Sequence, residues 1–210
     1  QNNILWRDVF NHAIVQNDSY QVNLTTFTTA VSGGFWTLNS GSSVAASGVA
    51  RVQTYRTFEI FGGGMTTTIA AKVKLLINPT ANTGGEVGLG YATAIATPTD
   101  GVYFKIPATG NFVGVMSFNG TETTVDLVTS PTANTVYDLR ISINSDGTSF
   151  FVNDVLEGRL NTPSTAAAGF MSRSMPVLCR LFNTASGASS AQQLSIGELI
   201  VFQEDVSRNY

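Results

Sequence analysis

Tyr137-Asp-Leu-Arg-Ile-Ser-Ile143 is followed by Asn144-Ser-Asp-Gly-Thr148 and then by Phe150-Phe-Val-Asn-Asp154. In the first run Leu139, Ile141 and Ile143 alternate with Asp138, Arg140 and Ser142, the period-two pattern of a half-buried strand. Asp146-Gly147 is a tight-turn dipeptide, so the second run should return beside the first as a hairpin. Asn153-Asp154 turns the chain again before Val155-Leu156.

The same grammar extends in both directions. Upstream, Ile69, Ala71, Val73, Leu75 and Ile77 alternate with Lys72 and Lys74, and Asn78-Pro79 ends the run. Val87-Gly-Leu89-Gly-Tyr91 is a second apolar stretch. Asp100-Gly101 leads into Val102 to Ile106, and Asn119-Gly120 joins Phe112–Phe118 to Thr121–Val128, the strongest short hairpin signal in the chain. Downstream, Pro176–Phe182 and Leu194–Phe202 read as the last two strands, separated by a loop of small polar residues. The total is about twelve strands with no long helix. Before this region, Gly62-Gly63-Gly64 is a turn, and residues 27–56 carry only weak alternation.

Composition agrees with an all-β domain. The 210 residues are 43% hydrophobic and only 12% charged, with 20 glycines, against a usual charged share of about 25%. That balance excludes a disordered chain, and the length sustains a core without disulfides. The net charge of −3, with no basic patch, argues against nucleic acid as a partner. No apolar run is long enough for a membrane-spanning helix, so no membrane partner is expected. With one cysteine, Cys179, and one histidine, His12, the usual zinc sites are unavailable. Cys179 sits among Val177, Leu178 and Leu181 and reads as a buried thiol. No cofactor and no metal site are expected. Asn144, Asp146, Asn153 and Asp154 gather near one hairpin, but as turn formers rather than calcium ligands.

The first residues differ from the rest. Trp6, Val9 and Phe10 fall at helical spacing, which predicts a short helix. We read residues 1–30 as an N-terminal arm or docking segment, ahead of a β-sandwich over 31–210. Two readings stand for the arm: packing on its own domain, or docking on a neighbouring subunit through Trp6, Val9 and Phe10.

The hairpin at 137–154 resembles one that recurs in concanavalin A-like lectin and glucanase sandwiches, the LamG-like type, with Asp154 where the turn glycine usually lies. The two last strands resemble the closing strands of that fold. Together with Thr66–Ile77, Gly84–Tyr91 and Asp100–Phe104, the pattern is similar to jelly-roll domains of phage virion proteins. It covers roughly residues 57–204 and carries no invariant motif. The resemblance implies an antiparallel jelly-roll β-sandwich. A glucanase on this fold would need the run Glu-x-Asp-x-x-Glu, whose carboxylates flank the sugar bond. No such run occurs; Glu59, Glu86 and Glu122 read as isolated, and Glu198, Glu204 and Asp205 form no close trio. No catalytic residue is assigned, and the chain is expected not to be an enzyme.

The expected function is therefore structural: a virion surface protein, a phage capsid decoration or head-fibre-type subunit. It would assemble with itself as a homo-oligomer such as a trimer, and with a capsid or tail protein. The alternative is a non-catalytic, lectin-like carbohydrate-binding module for surface glycans, with Trp36, Tyr55 and Tyr103 as stacking residues.

Overall fold

The computed structural model describes residues 2–10, 19–42, 45–60, 65–77, 82–93, 95–107, 109–161, 174–183 and 191–205. They form strands only, in chain order β1 Asn2–Val9, β2 Tyr20–Thr25, β3 Thr28–Ser32, β4 Phe35–Asn39, β5 Val49–Glu59, β6 Met65–Ile77, β7 Thr83–Tyr91, β8 Asp100–Ile106, β9 Val113–Phe118, β10 Thr121–Asp126, β11 Val136–Asn144, β12 Gly147–Val152, β13 Val155–Asn161, β14 Ser174–Asn183 and β15 Gln193–Asp205. The expected all-β antiparallel sandwich is what the chain builds.

Two antiparallel sheets face each other. One runs β13-β12-β11-β6-β15-β4-β3, with β1 also paired to β15; the other runs β10-β9-β8-β7-β14-β5-β2. The alternation in the sequence decides which face points inward. In the eight-stranded sheet, Leu139, Ala71 and Leu199 lie side by side across β11, β6 and β15, and Ile141, Ile69 and Val201 form the next row. All six are buried. In the seven-stranded sheet, Val87 and Leu89 of β7, Val102, Phe104 and Ile106 of β8, and Val177, Cys179 and Leu181 of β14 face them in the same core. Burial pushes the Cys179 thiol up to about 12, so it packs as a small apolar group.

The sheets approach closely at Gly114. A Cβ on Gly114 would lie 2.6 Å from the Phe150 ring. Phe150 is fully buried and meets Phe104 edge-on, with centroids 5.4 Å apart at 83°, a favoured aromatic geometry.

The short helix expected around Trp6 is instead strand β1, from Asn2 to Val9. It pairs antiparallel with β15 from Asn2↔Glu204 to Val9↔Glu198. Strand β4 covers only Gln193–Ile196 of β15, and the rest of that edge offers free ladder groups. An isolated short helix is marginal in water, so the ladder prevails over the helical spacing. The segment read as an arm, residues 1–30, thus supplies β1 and β3 to one sheet and β2 to the other.

Gly114→Ala tests the close approach of the sheets. It should destabilise the fold by about 1–3 kcal/mol in denaturant unfolding. Adding Phe150→Leu should give back part of the loss, because the smaller side chain vacates the clash. Wild-type stability in the single variant would show that the sheets do not meet there.

Candidate functional site

The central strands of the seven-stranded sheet are buried on both faces. Strand β14 is buried from Met175 to Asn183, and β8 is almost wholly so. The inner face belongs to the core. Register places two continuous rows on the outer face. One row is Gln21, Gln53, Leu178, Gly88, Tyr103, Val115 and Thr124; the other is Asn23, Arg51, Arg180, Glu86, Lys105, Val113 and Asp126. An uncharged row, buried at its centre, beside a row rich in charge is where the chain concentrates its chemistry.

Arg180 and Glu86 stand opposite each other on β14 and β7. Arg180 Nε donates to Glu86 Oε2 at 2.5 Å and Nη2 to Oε1 at 3.0 Å. Both side chains are 1% exposed. This is the bidentate geometry that suits guanidinium and carboxylate. Burial pushes the Glu86 carboxyl above its usual range, and the guanidinium pulls against that shift. Arg180 also stacks on the Phe182 ring, 4.3 Å from its centroid, and its Nη1 donates to the Ala96 carbonyl at 2.8 Å.

A second carboxylate lies three strands away on β10. Glu122 accepts from the Tyr103 hydroxyl at 2.6 Å and from Lys105 Nζ at 2.7 and 2.9 Å. Its side chain is 20% exposed, so it reaches solvent where Glu86 does not. Burial alone would raise this carboxyl; the bonds from Lys105 and Tyr103 outweigh it and hold the group below its usual range. Burial, the nearby Glu86 charge and the bond to Glu122 keep the Tyr103 hydroxyl protonated.

The segment between β7 and β8 folds back over this face. Its carbonyls accept from the sheet: Ala92 from Arg51 Nη1, Ala96 from Arg180, and Pro98 from the Ser117 hydroxyl at 2.6 Å. On β7 itself, Gln53 Nε2 donates to the Gly90 carbonyl at 3.1 Å.

The residues singled out from sequence are scattered. Tyr103 is on this face but fully buried, and its role is to hold Glu122. Tyr55 is 62% exposed on β5. Trp36 is 1% exposed, inside the core with Tyr20 and Phe10 at centroid distances of 4.9 and 5.4 Å. It has no face free for a sugar. Trp6 lies against Tyr20 and Phe58 at 6.0 and 6.1 Å, so the apolar surface of Trp6 and Phe10 packs within this chain. Val9 remains 38% exposed. Asn144 Oδ1 accepts from the backbone of Asp146 and Gly147, and Asn153 Oδ1 from that of Asp138. Sequence reasoning missed the Arg180–Glu86 pair and the Glu122 cluster. The run Glu86-Val-Gly-Leu-Gly90 does signal that Glu86 faces away from Val87 and Leu89. What it lacks is the partner, 94 residues distant.

No family model and no curated protein matches the chain. Solved structures do. It is similar to an endo-1,3-beta-glucanase from Streptomyces sioyaensis (TM-score 0.72, 11% identity, 96% of each chain covered). It is also similar to the endo-1,3-beta-glucanase (laminarinase) catalytic domain from Thermotoga petrophila RKU-1 (TM-score 0.68, 14% identity, 98% of this chain and 99% of that one). A third likeness is to Rv0315, described as an immunostimulatory antigen and pseudo beta-1,3-glucanase of Mycobacterium tuberculosis (TM-score 0.69, 14% identity, 96% and 99% covered). At such identities the likeness establishes the concanavalin A-like jelly-roll fold. It also corrects the functional expectation. The neighbours are glucanase-type domains and not virion proteins, which overturns the reading as a capsid decoration or head-fibre subunit. The expectation that the chain is not an enzyme falls with it, and so does the precedence given to a lectin-like module over a glucanase. One departure stands: counting from Glu86, the third and sixth positions of a Glu-x-Asp-x-x-Glu run are Gly88 and Tyr91. Carboxylates on this face therefore come from two strands.

Two measurements follow from the electrostatics. Glu86→Gln or Arg180→Gln should each cost about 3–5 kcal/mol, because each leaves a buried charge without its partner. The double variant Glu86→Leu/Arg180→Met should recover most of that loss, and a double variant no more stable than the singles would mean that the pair's worth lies elsewhere. For Glu122 the folded carboxyl titrates below the unfolded one, near pH 4.3 for an ordinary glutamate. Its contribution is therefore complete above that pH and is lost as pH falls through the lower folded value. Acid unfolding of Glu122→Gln should lack this component, while a titration like wild type would remove Glu122 from the account.

Proposed function

We propose that the protein is a glycoside hydrolase, with the outer face of the seven-stranded sheet as its sugar-facing surface. The observation that carries this reading is Glu122, a carboxylate that reaches solvent on that face and is held there by Lys105 and Tyr103. Hydrolysis of a glycosidic bond needs an ionised carboxylate that acts on the anomeric carbon or on a water, beside a group that protonates the leaving oxygen.

On this reading Glu122 is the ionised member, held so by Lys105 and Tyr103 and reachable from solvent. Glu86, 1% exposed with both oxygens held by Arg180, is the ionised partner of a buried pair that fixes the charged row beneath the site and does not itself reach substrate. Tyr55 and Tyr91, 62% and 60% exposed, offer rings against which sugar faces can stack. The glucanase-type neighbours make a β-1,3-glucan the first substrate to supply.

Release of reducing ends from laminarin and from mixed-linkage β-glucan is the test. The wild-type chain should release them, and Glu122→Gln should lower the rate by about 10²–10⁴-fold while its thermal unfolding stays near wild type. Absence of product from neutral and acidic β-glycans alike would overturn the reading, as would an unimpaired Glu122→Gln.

A further inference from the structure

Among the described residues, pairing on the outer face leaves one buried cation with no carboxylate beside it. Glu86 is matched by Arg180, and Glu122 by Lys105. Arg51, beside Arg180 in the register, has no carboxylate partner among the described residues. It is 6% exposed. Its Nη1 reaches only the neutral Ala92 carbonyl, and its Nε has no hydrogen-bond partner. Burial and the adjacent Arg180 charge both lower its hold on a proton. A desolvated cation with an unused donor is costly to keep unless something negative comes to it.

The backbone marks the place. Arg51 and Arg180 each direct one Nη1 at a carbonyl of the segment between β7 and β8, Ala92 and Ala96 respectively. Two neighbouring guanidinium groups thus each hold one backbone oxygen of the same short segment, and a carboxylate or sulfate carries such acceptors together with the charge that suits them. A neutral carbonyl satisfies the geometry and leaves the charge unmet. The exposed Tyr91 lies near the same arginine.

We infer that Arg51 and Arg180 form an anion site on this face, taking a carboxylate or sulfate carried on a saccharide, whose oxygens replace the Ala92 and Ala96 carbonyls. The inference rests on the reading of this face as sugar-facing and names the substrate class: an acidic rather than a neutral glycan. The chain as a whole is net negative, at −3, so diffuse attraction does not favour a polyanion.

Affinity electrophoresis of the full chain in gels containing laminarin, polymannuronate or dextran sulfate tests it. One of the two polyanions should retard the chain at least tenfold more strongly than laminarin, and added salt should weaken that retardation. Preference for polymannuronate identifies a carboxylate, and preference for dextran sulfate a sulfate. Arg51→Gln should abolish the preference. Should that variant fail to fold, Arg51→Lys, which keeps the charge and loses the planar fork, should lose at least threefold. Equal retardation by all three polymers, or undiminished retardation of the folded variant, overturns the inference. If laminarin is cleaved without any preference for polyanions, only this inference falls; if no glycan is bound or cleaved, the hydrolase reading falls with it.

Discussion

A carboxylate and a guanidinium at 1% exposure can remain charged only if each is the other's solvent. The Arg180–Glu86 pair meets that condition with two hydrogen bonds across β14 and β7, and the outer face is arranged around it. The pair sits between the two central strands of the seven-stranded sheet. On one side Lys105 continues the charged row toward Glu122, and on the other Arg51 extends it without a counter-charge. The segment after β7 closes over the row with carbonyl oxygens, which neutral and charged donors alike can use. Desolvation by this cover is what strengthens every charge interaction beneath it.

Much of the fold was legible because strand patterning is local. Alternation in 69–77 and 137–143 named the inward residues of β6 and β11, and the Asp146-Gly147 and Asn119-Gly120 turns fixed two hairpins. The first strand was not legible, because Trp6, Val9 and Phe10 fit a helical stripe; what decides for a strand is the unfilled edge of β15, nearly two hundred residues away in the chain. The site was less legible still. Glu86 and Glu122 looked isolated since no near neighbour in sequence is their partner. A Glu-x-Asp-x-x-Glu search finds carboxylates along one strand and is blind to carboxylates that come from two.

Composition misled in a similar way. A low-charge chain rich in Ser, Thr and Gly suits an assembly surface, but it also suits a sandwich in which one sheet is buried on both faces. Here the second cause operates: Arg51, Gln53, Glu86, Tyr103, Ser117 and Arg180 lie buried on the outer side of the seven-stranded sheet. The apolar residues at the N-terminus that suggested docking, Trp6 and Phe10, fill the ring cluster with Tyr20, Trp36 and Phe58. A fold admits many functions, and the polar outer face argues for one that handles a ligand there.

The two-strand origin of the glutamates also bears on the chemistry. Carboxylates two residues apart on one strand stand about 7 Å apart at their backbones. Glu86 and Glu122 lie on β7 and β10, three inter-strand spacings apart, and Glu122 lines up with Gly90 through Ser117 and Gly101, so the two are also four residues apart along the strands. Their side chains turn apart: Glu86 bonds Arg180 on β14, while Glu122 bonds Tyr103 and Lys105 of β8. Retaining hydrolysis needs carboxyl groups about 5–5.5 Å apart for direct attack, while inversion leaves about 6.5–9.5 Å for a water. Neither distance suits a pair offset both across and along the sheet whose members turn apart. If the face hydrolyses glycans, Glu122 therefore acts with a proton donor other than Glu86, and the departure from the one-strand motif becomes a difference in which residues take part rather than a loss of function.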